Sequence, residues 1–159
     1  MTKLVDKWYC SKCFPGLIDQ KLKQNLRRYK IKKNSRLLVS DKASEYVIRE
    51  VINLPVQIVT GKLKHDYVVL PWTMDDENEE FFLRLADNNG LSVKDDDKVI
   101  KLFYPMSKMD MKTYLLLKKV KHNFEKTEVN SMLDKLEAKY PGTKTALLKS
   151  EEKLRQILR

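Results

Sequence analysis

Residues 10–52, CSKCFPGLIDQKLKQNLRRYKIKKNSRLLVSDKASEYVIREVI, form the stretch that decides the fold of this chain. The pattern predicts, in order, a cysteine knuckle, a basic amphipathic helix, a short apolar strand, a polar loop and a second helix. A strand followed by a tight loop and a helix is how a nucleotide-handling α/β domain begins. We therefore expect an α/β fold with a small parallel sheet.

The loop after this first strand, SDKAS at residues 40–44, contains no glycine. Loops that hold phosphate use glycines, which let successive backbone N–H groups converge on the anion at the next helix N-terminus. A carboxylate at Asp41 would also repel phosphate. We interpret Ser40, Asp41, Lys42 and Ser44 as a vestigial nucleotide loop and do not expect ATP to bind.

A second acidic pair, Asp75 and Asp76, follows Thr73. Carboxylate oxygens suit magnesium, so the pair could serve the nucleotide side of a site. Acidic residues equally favour the first turn of a helix. Without a glycine loop opposite them, we assign both aspartates to the same vestigial site.

The chain has 159 residues, of which 42% are hydrophobic and 34% charged, and these values predict one soluble domain. We divide it into a cysteine knuckle at residues 1–13, a reduced α/β core at 14–105 and C-terminal helices at 106–159. No apolar run reaches the roughly 18 to 20 residues of a membrane span, and no signal-peptide stretch is seen. Two cysteines three apart argue against a disulfide framework, so we expect a cytoplasmic protein.

The net charge of +10 is concentrated in one segment rather than dispersed. We call residues 21–36 the basic segment, because no acid interrupts its eight cations, Lys21, Lys23, Arg27, Arg28, Lys30, Lys32, Lys33 and Arg36. Such cations repel one another, and phosphates would relieve that repulsion. An ordinary solvated helix face is the alternative. We favour nucleic-acid contact, with acids gathered instead at 75–80 and 95–97.

Alternating strand and helix patterns follow along the chain. A helix begun after Pro15 carries an apolar stripe from Phe14 to Tyr29. Strands are predicted at 36–40, 56–60, 66–70 and 99–104. One helix is predicted from the pattern of Tyr46, Val47 and Val51 with Leu54, ending before Pro55, and another over 75–88, with Phe81, Phe82 and Leu85 inward and a stop at Asn89 and Gly90. Three more helices follow, around Leu115, Leu116 and Val120, then 129–140, then 146–158.

With these elements in order, the sequence resembles the PP-loop tRNA-thiolation proteins, a group that includes TtuA-like proteins and the eukaryotic cytosolic tRNA-thiolation pair. Four stretches carry the resemblance, and they are CSKCF with the basic helix and first strand, LPWTMDDENEEFFLRL, IKLFYPMSKMDMKTY and SMLDKLEAKYPGTKTALLKSEEKL. Together they span most of the chain. The resemblance implies a PP-loop fold of the adenine nucleotide alpha hydrolase-like type and tRNA as the substrate.

The departures from that family are equally informative. Active members carry a serine-glycine-glycine-x-aspartate-serine loop where this chain has SDKAS, and they carry cysteines beyond the second strand. This chain has no cysteine after Cys13. The resemblance therefore implies a non-catalytic subunit of the kind found in the eukaryotic pair, which supports an active partner.

Cys10 and Cys13 supply two thiolates at knuckle spacing, whereas a structural zinc needs four ligands. The pair is either half of a zinc site completed by a second chain, by a partner or by His65 and His122, or a metal-free remnant. A redox role is the minor alternative, because the strand that precedes such a motif in thioredoxin is not expected here.

Three functions remain open. The first is a PP-loop-like accessory protein in tRNA 2-thiolation that binds tRNA, an active thiolation partner, or both, and the chain could also form a homodimer. The second is an autonomous nucleic-acid-binding protein. The third, an ATP-dependent tRNA sulfurtransferase, conflicts with the missing glycines and cysteines.

Overall fold

A computed structural model describes residues 2–4, 7–51, 55–61, 63–86 and 96–157. Within these ranges the chain is an α/β fold with a four-stranded parallel sheet, a two-stranded hairpin and six helices. The elements are β1 Thr2–Leu4, β2 Lys7–Tyr9, α1 Cys13–Leu26, β3 Arg36–Val39, α2 Lys42–Val51, β4 Gln57–Val59, β5 Tyr67–Thr73, α3 Met74–Ala86, β6 Val99–Phe103, α4 Lys108–Leu117, α5 Glu128–Lys139 and α6 Thr143–Ile157. The predicted fold class, a small parallel sheet with a helical C-terminal layer, is confirmed.

The sheet has the strand order β4-β3-β5-β6, and every neighbouring pair is parallel. Leu37 of β3 pairs with Ile58 on one side and with Tyr67 on the other. The helix α2 crosses from β3 to β4, and α3 crosses from β5 to β6. All four carboxyl ends therefore lie along one edge of the sheet.

The hydrophobic core lies between one face of the sheet and the helices α1, α2 and α4. The predicted stripe of α1 is buried, with Phe14, Ile18 and Leu22 fully covered. Burial of each such side chain contributes roughly 1.5–3 kcal/mol. These contacts explain why a basic helix is held firmly against the sheet.

A second layer consists of α3, α5 and α6, which pack against one another. Its centre is polar as well as apolar, because Asn78 of α3 donates to the backbone oxygen of Lys144 in α6 at 3.1 Å. Glu77 and Glu151 are also buried there. This layer anchors the start of α3 at the carboxyl edge of the sheet.

Two local predictions at the N-terminus are wrong. The helix α1 begins at Cys13, not after Pro15, because a proline in the first helical turn loses no hydrogen bond that the helix would make. A strand does precede the cysteine pair, since β2 ends at Tyr9 and pairs antiparallel with β1. Three-residue strands are too short to leave a period-two pattern.

One residue that was predicted to face inward lies outside instead, and one leucine of the helix predicted around Leu115 is also exposed. Leu85 of α3 and Leu116 of α4 are 47% and 75% exposed. The helix α4 ends at Leu117, so Val120 packs on the core from beyond it. The predicted helix end at Asn89 and Gly90, and positions 54 and 158, lie outside the described residues. Among the helices described, none combines the length and apolar character needed to cross a membrane.

Candidate functional site

The chain adds strands on both sides of β3, so the order of strand addition across the sheet reverses between β3 and β5. From β3 the chain crosses through α2 to β4 on one side, whereas β5 lies on the other side of β3. In open α/β sheets, ligands bind in the crevice outside the carboxyl ends of the strands at such a reversal. The loop at Ser40 and the start of α3 both lie at this edge.

Asp41 caps the helix α2. Its Oδ1 accepts a hydrogen bond from the backbone N–H of Ser44 at 2.8 Å, and its backbone oxygen accepts from the N–H of Glu45. An anion bound at this helix end would need the same free N–H groups. The side chain of Asp41 therefore occupies the N–H group that a phosphate at this helix end would use, while Ser40 and Lys42 are exposed and Ser44 is buried.

His122 also contacts this loop. Its Nδ1 lies 3.7 Å from Asp41 Oδ1, and both side chains are largely buried. The imidazole packs edge-on against Phe124, with ring centroids 4.4 Å apart. The segment after α4 thus lies over the loop after β3. The sequence offered His122 only as one way to complete a zinc site with Cys10 and Cys13, because nothing in its neighbourhood indicates a partner as far away in the chain as Asp41.

The two aspartates at the start of α3 are paired within the chain. Asp75 is 1% exposed, and it forms an ion pair with Lys144 Nζ and accepts from the backbone N–H of Lys108 at 2.6 Å. Asp76 accepts from Thr73 Oγ1 at 2.6 Å and pairs with Lys108 Nζ at 2.7 Å. Both carboxylates therefore lie in the first turn of α3, and each forms an ion pair with a lysine.

Lys144 joins three helices. Its ammonium group binds Asp75 of α3 and Asp134 of α5, the latter at 2.5 Å. Burial alone would lower the pKa of Lys144, but the hydrogen bonds to the two carboxylates outweigh it and the pKa is raised. Partial burial alone would raise the pKa of Asp134, but hydrogen bonds from Lys126 and Lys144 outweigh that effect and the pKa is lowered.

The basic segment spans the end of α1 and the turn and coil that lead to β3. Six of its cations are exposed, whereas Lys21 and Arg36 are half-buried. Arg28 pairs with Glu152 at 3.1 Å and lies over the Tyr104 ring. Within the described part of the chain the other seven cations form no ion pair. They are available to a polyanion.

A groove of about 910 Å³ borders the basic segment. Its wall contains aromatic side chains, and two of its cations are already paired, Lys101 with Glu77 at 2.5 Å and Arg28 with Glu152, whereas Lys30 at its border is exposed. Burial, with the nearby Glu152, raises the pKa of Tyr104, whose hydroxyl donates to that carboxylate. Phosphates would meet these acids, so the exposed cations outside the groove are the better polyanion surface.

Cys10 and Cys13 lie exposed between β2 and the first turn of α1. The backbone N–H of Cys13 donates to Cys10 Sγ at 3.4 Å. The side-chain hydrogen bond from Cys13 lowers the pKa of the Cys10 thiol, and the same contact raises the pKa of Cys13. The two thiols are therefore unequal.

The zinc that the family resemblance implies does not fit this chain alone. A closed structural site needs four ligands, and the cysteines supply two. Among the described residues, no group of three or more potential metal-binding side chains comes together. His122 contacts Asp41 instead, and His65 is exposed beside the backbone oxygen of Leu63.

No protein-family model matches this chain, and no curated protein sequence is detectably similar to it. Its α/β fold is similar to that of a solved tRNA thiolase, in agreement with the predicted fold class. The chain is similar to the solved structure of the U34-tRNA thiolase NcsA from Methanococcus maripaludis with its [4Fe-4S] cluster, with a TM-score of 0.65 and 14% sequence identity. The similarity covers 93% of this chain and 80% of that thiolase.

Proposed function

We propose that this chain is a non-catalytic accessory protein in tRNA 2-thiolation, which binds tRNA, an active thiolation partner, or both. The observation that carries the proposal is the basic segment, whose exposed cations other than Arg28 find no ion-pair partner among the described residues, on a fold similar to that of a tRNA thiolase. Lysines and arginines placed in this way bind phosphates and release condensed counterions.

The edge of the sheet at which a nucleotide would bind, with the loop at Ser40 and the start of α3, supports a non-catalytic role. The N–H group at the start of α2 that phosphate would need is bonded to Asp41, and His122 covers the same loop. The two aspartates opposite are paired with lysines. With no cysteine after Cys13, the chain also lacks the thiol chemistry that the family resemblance associates with sulfur transfer.

The test is a change of charge in the basic segment. We would replace Arg27, Arg28, Lys32 and Lys33 together by glutamine and measure tRNA binding over a range of salt concentrations. These four residues are exposed and lie beyond the end of α1, so folding should survive. We expect binding to fall by at least about tenfold and the slope of log affinity against log salt to drop by about two to three units.

A matched control removes the same number of charges elsewhere. Replacing Lys112, Lys121, Lys135 and Lys149 by glutamine changes four exposed lysines that form no ion pair with any described residue. This variant should keep most of the wild-type affinity and slope. Equal effects of the two variants would mean that only net charge matters, and the basic segment would not be the tRNA site.

An autonomous nucleic-acid-binding protein would use the same segment without a thiolation partner. Affinity purification of the tagged chain from its native host, followed by mass spectrometry, separates the two functions. Recovery of a PP-loop thiolase in near-equal amount supports the accessory role. Recovery of RNA without such an enzyme supports the autonomous one. We expect either protein in the cytoplasm, where free cysteines are stable.

A further inference from the structure

The two cysteines are placed by a tight turn. The backbone N–H groups of Cys13 and Phe14 both donate to the backbone oxygen of Cys10, at 3.1 and 3.0 Å. A turn closed in this way brings the first and fourth Cα atoms within about 7 Å, and a disulfide requires roughly 4.4–6.8 Å. The backbone therefore already holds the pair at a separation compatible with bonding.

Cys10 Sγ acts as the capping acceptor at the N-terminus of α1. The N-cap residue Lys12 makes no side-chain capping bond, and the first turn of α1 contains no acidic residue. The N–H of Cys13 donates to the Cys10 sulfur instead. A helix N-terminus favours negative charge, so this sulfur is the better nucleophile of the two.

The surroundings leave both thiols accessible. Each is exposed, and no group of metal-binding side chains forms around them within the described ranges. The strand β2 ends at Tyr9, immediately before the pair, and α1 begins at Cys13. A strand, a Cys-x-x-Cys turn and a helix thus follow one another without a break.

We propose that Cys10 and Cys13 form a reversible intrachain disulfide. The oxidant would be a low-molecular-weight disulfide of the glutathione type. The Cys10 thiolate attacks one sulfur of that disulfide, which gives a mixed disulfide and releases one small thiol. Cys13 then attacks the Cys10 sulfur, forms the intrachain bond and releases the second small thiol. Two protein thiols are oxidised and one small disulfide is reduced to two thiols.

Formation of this disulfide is independent of RNA binding, because its two sulfurs lie at the opposite end of α1 from the basic segment. Failure of the disulfide proposal would therefore leave the tRNA proposal intact, and the reverse also holds.

The experiment uses the full-length chain, treated with chelator, in buffers of varied reduced and oxidised glutathione. Samples are quenched with an alkylating reagent and weighed by mass spectrometry. We expect a fully reversible two-electron transition, in which the oxidised protein has lost two hydrogens and takes up no alkyl group. A chain that keeps two alkylatable thiols throughout, or one that forms only disulfide-linked dimers, would overturn the proposal.

Single substitutions test the order of attack. Cys13→Ser should accumulate the mixed disulfide at Cys10, and Cys10→Ser should form one at Cys13 more slowly by about threefold or more. Both positions are exposed, and circular dichroism checks that the variants fold. Equal rates would overturn the assignment of Cys10 as the attacking thiol. Zinc found in untreated protein, with resistance to oxidation until chelation, would assign the pair to a metal site instead.

Discussion

Lys144 is an ammonium group buried between Asp75 of α3 and Asp134 of α5. Its removal leaves Asp75, which is 1% exposed, as a buried charge with only a backbone N–H as partner. We expect Lys144→Met to lower the free energy of unfolding by about 3–5 kcal/mol, the range for breaking one side of a buried ion pair. Urea unfolding followed by circular dichroism measures it.

A control for this substitution lies on the same carboxylate. Lys126 also pairs with Asp134, at 2.6 Å, but from an exposed position. Lys126→Met should therefore cost less than about 1 kcal/mol. The double variant Asp75→Asn with Lys144→Met should recover part of the loss, because both buried charges are then absent. Equal losses for the two lysine variants would show that burial of the Lys144 pair adds nothing.

The pH dependence of stability follows from the same carboxylate. Because the pKa of Asp134 is lower in the folded chain, its contribution is present above the unfolded value of about 3.9 and is lost as pH falls through the lower folded value. Burial raises the pKa of Asp110 and Glu151, so their contributions to stability change with pH in the opposite direction. We therefore compare wild type with Asp134→Asn. The difference in unfolding free energy should shrink below about pH 4, and a difference constant from pH 2 to 7 would contradict it.

At the scale of one element, the loop before α2 decides whether ATP binds. Asp41 already accepts the N–H of Ser44, so we expect no saturable heat when ATP or AMP is titrated at micromolar concentrations. Asp41→Ala should cost about 0.5–2 kcal/mol of stability as a lost helix cap. A clear binding isotherm with wild-type protein would restore the sulfurtransferase function.

The elements that the sequence predicts well are those with strong periodicity. The stripe of Phe14, Ile18 and Leu22 is long enough to reveal α1, and the apolar run before Ser40 reveals β3. The hairpin β1-β2 has only three residues in each strand, so its pattern cannot be recognised. Exposure of Leu116 could not be predicted either, because the apolar pattern of α4 does not specify which of two neighbouring leucines faces the core.

At the scale of the whole molecule, the contacts that define the site join distant parts of the chain. His122 reaches Asp41, and Lys144 reaches Asp75, and neither pair has a local sequence signal. The acids gathered at residues 75–80 are also largely neutralised by cations of the same chain, since Glu77 pairs with Lys101 and Arg155. Pairing of these acids within the chain leaves them less able to repel a polyanion bound at the basic segment.

Zinc content tests how whole molecules associate. One chain supplies two thiolates and, within the described residues, no third ligand beside them, so a monomer should hold no zinc. If two chains instead shared a zinc at this turn, which would overturn the disulfide proposal, they would supply four thiolates and the content would be about one zinc per dimer. Size-exclusion chromatography with elemental analysis of each fraction measures this, with Cys13→Ser as the control that should lose both metal and dimer. Zinc bound in equal amount to monomeric wild type and to Cys13→Ser would contradict a site shared between cysteine pairs.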